Sequence, residues 1–311
     1  MPSVTKSQAI VLHLTRQGDS GAVLHVIDSV AGRQGVFVRG LGKGRGVSTA
    51  TFHSLAVIDM VTFASPKSSL LYLRECTPVL QLDGLRTDIS KSTTALFISE
   101  VLYRSLKNDD GDPGLWSWLA EMIVALDSLQ GSAANFHLWW MAGYCIKSGF
   151  RPNDNWSGER PVFDIVSAQF IPAPAGMSGS WSPAGELPRS KGTAAVSAGG
   201  SCGSSGGSSG GSACGNAGGG LLGSRGGSRR DFCGSWDAED RRFVDEKQLF
   251  SAEDSRLLHL MLSTGLNEAL AIPLSSSRRL SFARRMLDYL SYRFGCDLNV
   301  KSLDVLHEIF R

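Results

Sequence analysis

Nowhere in the 311 residues does an apolar run reach the roughly 18 positions that a membrane-spanning helix needs. The opening Met1-Pro2-Ser3-Val4-Thr5-Lys6 also lacks the apolar stretch of a secretory signal, so a cytoplasmic location with no membrane partner is expected. The cysteines Cys76, Cys145, Cys202, Cys214, Cys233 and Cys296 include no CxxC pair, which argues against a closed zinc site, and a chain without an export signal is not expected to carry a disulfide framework. The histidines His13, His25, His53, His137, His259 and His307 form no HExxH pair, and no Gly-x-Ser-x-Gly elbow is present. Neither an enzyme nor a cofactor or metal is expected.

What is present is enough apolar material for a core, at 42% of residues, spread over a length that suits two domains or one domain with a large insertion. The net charge of +2 is unevenly placed. Residues 1–80 carry eight Lys/Arg against four acids, a net +4, so a surface for a polyanion belongs at the N-terminal end.

That segment reads as five short strands: residues 8–15, 21–28, 33–39, 54–63 and 70–76, separated by Gly18-Asp19, Ala31-Gly32 and a glycine-rich break. Five strands in about 75 residues suggest a small barrel, for which the OB-fold is the common nucleic-acid-binding solution. From about Thr87 the period becomes helical. Ile89, Thr93, Leu96, Phe97, Val101 and Leu106 fall near one face, expected to be buried, and further helices follow Pro113, Ala133, Ser251, Ser275 and Lys301. Ser251-Ala-Glu-Asp254 has the form of a helix cap. The fold class is therefore α+β: an OB-fold domain over 1–80, an α-helical domain over 81–165 and 245–311, and a central insertion over 166–244. Within the insertion, residues 199–230 are dominated by Gly and Ser and are expected to stay unstructured.

The most informative stretch is Arg39-Gly-Leu-Gly-Lys-Gly-Arg-Gly46, glycines alternating with three cations directly after a strand. It lacks the Gly-Lys-Ser/Thr ending of a phosphate-binding nucleotide loop, and its β–loop–β setting excludes the dinucleotide fingerprint. It suits contact with a phosphate backbone through Arg39, Lys43 and Arg45; an ordinary hairpin loop is the alternative. Strand alternation puts Arg33, Phe37 and Arg39 on one face and Tyr72 and Arg74 on one face of the last strand. If these faces coincide, cations and rings interleave as in single-strand binders; otherwise Phe37 and Tyr72 belong to the barrel core. On the C-terminal helix, Arg278, Arg285 and Arg293 lie opposite the apolar stripe and read as a solvated face. Arg104 is a candidate for a partner's carboxylate, or for an ion pair with Glu100 one turn earlier.

Several motifs together resemble the bacterial DNA repair protein RecO family. They are Gln8-Ala-Ile-Val-Leu-His, Gly18-Asp19-Ser20, Gly32-Arg33, Arg39-Gly40, Leu96-Phe97-Ile98-Ser99-Glu100-Val101-Leu102-Tyr103, Phe136-His137-Leu138-Trp139, Gly149-Phe150-Arg151-Pro152-Asn153 and Ser302-Leu303-Asp304-Val305-Leu306. The resemblance covers residues 7–165 and 245–311 in family order. It implies an OB-fold followed by a helical domain and a non-catalytic, nucleoid-associated recombination mediator. Such a protein binds single- and double-stranded DNA and anneals complementary strands. It engages the C-terminal tail of single-stranded-DNA-binding protein and, with RecR, loads the recombinase. The basic loop then corresponds to Arg39, Lys43 and Arg45, and Arg104 falls near a docking surface. Some relatives carry a four-cysteine zinc site; Cys202, Cys214 and Cys233 have the wrong number and spacing for it. The competing expectations are an interaction scaffold without catalysis, or an RNA-binding OB-fold with a partner-docking helical domain.

Overall fold

The computed structural model describes residues 4–18, 21–41, 48–64, 70–107, 111–174 and 246–311. Strands β1 (Val4–Gln17), β2 (Gly21–Asp28), β3 (Gly32–Arg39), β4 (Val57–Ala64) and β5 (Leu71–Pro78) close a barrel in the order β1-β2-β3-β5-β4. All neighbours are antiparallel except β3 and β5, which run parallel through Val36↔Leu71 and Phe37↔Tyr72. This is the five-stranded OB architecture expected from the sequence. The fourth strand starts later than its sequence suggests. Residues 54–56 form a turn in which Leu55 has a left-handed φ of 63°, and only from Val57 does the ladder resume. That conformation, unusual for a leucine, is held by Leu55 N donating to Val11 O at 2.8 Å and by burial of the side chain.

Period-two alternation sorts the barrel residues into two cores. Ala9, Val11, Leu24, Val26, Val36, Val38, Ile58 and Met60 fill the barrel, whereas Ile10, Leu12, Ile27 and Val57 point outward into the helical part. A bulge between Val11 and His13 resets the alternation, so that Leu12 and His13 both lie outside the barrel and Leu14 returns to it. A second bulge, at Val61/Thr62 opposite β5, leaves Arg74 as the extra residue and lets Leu73 and Cys76, three apart, both reach the barrel core.

The helical part comprises α1 (Asp83–Thr87), α2 (Ile89–Ser105), α3 (Pro113–Ser128), α4 (Phe136–Lys147), α5 (Ala252–Ser263), α6 (Leu266–Ala271), α7 (Ser276–Phe294) and α8 (Ser302–Ile309). Its starts are chemically marked. Asp88 accepts from Ser90 N and Lys91 N, Asp112 precedes Pro113 and accepts from Gly114 N and Leu115 N, and Ser251 accepts from Asp254 N. Helix α2 is central, touching β1 and α1, α3, α4, α7 and α8. Its burial therefore wraps most of its circumference (Thr94, Ala95, Ile98 and Leu102 as well as Thr93, Phe97 and Val101), while Ile89 and Leu96 are exposed rather than buried. A column of rings, Trp118–Trp140–Tyr144–Phe294, ties α3, α4 and α7 together with centroid spacings of 6.1, 5.0 and 5.6 Å.

A hairpin of β6 (Val162–Asp164) and β7 (Gln169–Ile171) carries ordered structure past residue 165. The returning chain docks on it, with Phe250 N donating to Phe163 O and Ile165 N to Gln248 O. The arginine row of α7 serves this docking and is not simply a solvated face. Arg278 pairs with Asp254 at 2.7 Å, Arg285 donates to Lys247 O and Leu249 O, and Arg293 donates to Val166 O. The segment 199–230, with Cys202 and Cys214, lies outside the described residues, as does Cys233.

One consequence concerns acid. His137 on α4 is buried edge-on against Phe97, and burial, with the charge of Arg279 nearby, holds its imidazole down at about 3. An unfolded chain takes up this proton below about pH 6.5, whereas the folded protein does not until far lower pH. The stability is thus complete above about pH 7 and lost as the pH falls through that window. Urea unfolding should give a free energy lower at pH 5 than at pH 7.5 by on the order of 1–2 kcal/mol from this ring. His137→Leu should remove that share of the difference; an unchanged pH dependence would contradict the assignment.

Candidate nucleic-acid interface

Among the described residues, the helices pack on the barrel where Ile10, Leu12, Ile27 and Val57 emerge. On the remaining outer face, alternation exposes the side chains that β3, β5 and β4 do not send inward. Register then sets Phe37 beside Tyr72 and Tyr72 beside Phe63. The rings touch: Phe37 meets Tyr72 edge-to-face at 5.6 Å, and Phe63 stacks on Tyr72 at 5.4 Å with 20° between planes. The Arg39 guanidinium lies over the Tyr72 ring at 4.8 Å. None of the three rings belongs to either packed core, and all are half-buried. Phe37 and Tyr72 therefore stand outside the barrel and do not fill it. Gly21 on β2 makes room for this, since a Cβ there would come within 2.8 Å of Phe37 Cζ.

The other residues singled out from sequence divide. Arg74, on the β5 bulge, is well exposed and pairs with Glu75 at 3.4 Å, an exposed contact of little energetic weight. Lys43 and Arg45 lie outside the described residues; Gly40, at the root of their loop, has φ +68°, a turn that suits glycine. Arg33 departs from the expected grouping. Six residues from Arg39 along one strand, about 20 Å away, it donates to Leu106 O at the end of α2 and lies over the Tyr103 ring at 4.4 Å. Its guanidinium is engaged in joining the barrel to α2. Around it His13 and His25 flank Tyr103 at 5.5 and 5.0 Å, and burial, then the charges of Arg33 and His13, lower the basicity of His25.

Arg104 lines a cavity of about 370 Å³ where β1, α2 and α8 meet, together with Leu12, His13, Leu96, Tyr103, Lys301 and Val305. Its ion pair with Glu100 is formed, Nη2 to Oε1 at 2.7 Å. Burial alone would raise the Glu100 carboxyl, but hydrogen bonds from Ser302 Oγ and N, Arg104 and Lys301 N outweigh it and hold the group below the usual glutamate range. Glu100 thereby caps α8, and it lines the cavity with Ser99 and Ser302 beside the apolar Leu12, Leu96 and Val305 and the cations Arg104 and Lys301.

Residues 86–159, which run from α1 through α4, match the family model described as recombination protein O C terminal. DNA repair protein RecO of Bacteroides fragilis is 29% identical over 168 residues, covering 53% of this chain and 69% of that protein. Those of Phocaeicola vulgatus and Porphyromonas gingivalis are 29% and 27% identical, covering 69% and 71% of their own lengths. The chain is similar to RecO. The resemblance drawn from sequence motifs is thus borne out, and Glu100, Tyr103 and Arg104 all fall within the part that matches the RecO family model. Among the described residues no group of His, Cys, Asp or Glu is arranged to hold a metal ion, and no helix is long and apolar enough to cross a membrane.

Phe63 was missed in the sequence although the signal existed: it alternates with Ile58, Met60 and Thr62 and so had to face outward. Its partnership with Tyr72 depended on register, which the strands do not announce. For Arg33, removal should act on the barrel–helix contact. Arg33→Ala is expected to cost about 1–2 kcal/mol in urea unfolding, the scale of one charged hydrogen bond, and to change oligonucleotide affinity less than twofold. A large loss of affinity without loss of stability would return Arg33 to the interface.

Proposed function

We propose that this protein is a recombination mediator in DNA repair, acting in the cytoplasm at the nucleoid without catalysis. It binds single- and double-stranded DNA without sequence preference and anneals complementary strands. With RecR it helps load the recombinase onto DNA coated by single-stranded-DNA-binding protein. The observation that carries the reading is Arg39 seated over Tyr72, beside Phe37, at the root of the glycine-rich basic loop. Charge for phosphates next to rings for bases is what non-specific single-strand binding requires. Similarity to proteins named for DNA repair supports the biological setting. Arg39, Lys43 and Arg45 hold phosphates, with Arg74 as a weaker contributor because Glu75 lies beside it.

The tail of single-stranded-DNA-binding protein is assigned to the cavity beside Arg104, because Leu12, Leu96 and Val305 together with Arg104 and Lys301, against the single carboxylate of Glu100, suit an acidic peptide carrying apolar side chains. If the protein were a scaffold alone, tail binding would persist with no affinity for DNA; if it were an RNA binder, an RNA oligonucleotide would bind more tightly than its DNA counterpart.

Fluorescence anisotropy with a single-stranded oligonucleotide tests the DNA reading. Replacing Lys43 and Arg45 with Gln should weaken binding and reduce the slope of log affinity against log salt by about 1.4, two phosphate contacts at roughly 0.7 each. An unchanged slope would move the phosphate contacts elsewhere. Separately, Arg104→Glu should abolish binding of the tail peptide while leaving anisotropy with DNA as in the wild type; retained peptide binding would rule out the cavity.

A further inference from the structure

The pairing register orders the outer face of the barrel into two adjacent rows. The first runs across β3, β5, β4 and β1 as Phe37, Tyr72, Phe63 and Val4. Two residues further along each strand, on the same face, lie Arg39, Arg74, Val61 and Lys6, with the bulge at Arg74 within this row. A row of rings is thus flanked, at about 7 Å, by a row with cations at both ends and one between. Lys6 is exposed, as are Arg39 and Arg74. Phe63 stacks on Tyr72 on one side, and its neighbour on the other is Val4, a short side chain that is 54% exposed.

We propose that these rows form a track for single-stranded DNA that crosses β3, β5, β4 and β1, with Phe63 as a base-stacking residue and Lys6 as a phosphate contact. The inference rests on the DNA-binding reading above and adds two residues to it, Phe63 for bases and Lys6 for phosphate. Two features favour this occupant over an apolar partner. The N-terminal 80 residues carry net +4, and the cations sit alongside the rings and not scattered around them. Stacked bases keep their planes inaccessible inside a duplex, so rings on an open sheet face discriminate for separated strands, while cations alone do not. A purely structural role for the rings is the alternative, because cross-strand aromatic pairs also stabilise sheets.

The test uses the full chain and three probes: an oligothymidylate, an abasic oligomer of equal length, and a duplex. Wild-type protein should prefer the oligothymidylate over the abasic strand. Phe63→Leu should weaken oligothymidylate binding at least about fivefold, with no change in affinity for the abasic strand or in the salt slope. Lys6→Gln should weaken all three and lower the slope by about 0.7 for the single strands. Phe63→Trp, which keeps the stack, should retain affinity, and its emission should respond to oligothymidylate but not to the abasic strand. If Phe63→Leu proves unstable, Phe63→Trp decides: an emission indifferent to bases overturns the proposal. Equal wild-type affinity for thymidylate and abasic strands would also overturn it while leaving the DNA-binding reading standing. Failure to bind any probe would overturn both.

Discussion

Over residues 9–12 strand β1 is buried on both faces, and the rest of the molecule is arranged around that fact. Ala9 and Val11 enter the barrel while Ile10 and Leu12 enter the helical core, so one strand is a wall shared by two hydrophobic interiors. A barrel this small could not present a long uncovered face on its own without either closing or being capped. Here closure removes the free edges, and α2 caps one end through Leu12, Tyr103 and the Arg33 guanidinium. Among the described residues, Phe37, Tyr72 and Phe63 stand together on the outer face that the helical core does not take up.

The two bulges sharpen this division. Without the irregularity after Val11, His13 would face into the barrel and the ring contacts of Tyr103 with His13 and His25 would be lost. Without the one on β5, Arg74 would lie in ordinary register, and Leu73 and Cys76 could not both reach the interior. Each bulge sits where the strand passes from one set of neighbours to another, and each places a polar side chain on the outside at a boundary.

Much of this was legible in the sequence, for identifiable reasons. Alternation separated Val36 and Val38 from Phe37 and Arg39, because a half-covered strand must alternate, but it left open which pair faces the barrel interior. Helix starts were readable at Pro113 and Ser251 because first-turn and capping preferences are local chemistry. What was not legible depended on distance. Arg33 and Arg39 have the same parity on one strand, and only the position of α2 separates their roles. Leu96 and Ile89 fit an amphipathic stripe, yet α2 has neighbours around most of its girth and leaves these two outside. The arginines of α7 read as solvated from their angle on the helix, but Lys247, Leu249 and Val166 return to meet them from far away in sequence. The short hairpin Val162–Ile171 escaped notice because three-residue strands carry almost no periodic signal.

The proposed interface puts DNA on the outer face of the barrel that carries Phe37, Tyr72 and Phe63, and not on the helices. Photocrosslinking with an oligonucleotide carrying 5-bromodeoxyuridine, followed by peptide mapping of the full chain, addresses it directly. Crosslinks are expected at Phe37, Tyr72 or Phe63 and none in α5 to α8. Crosslinks confined to the helical part, with the barrel peptides unmodified, would contradict it.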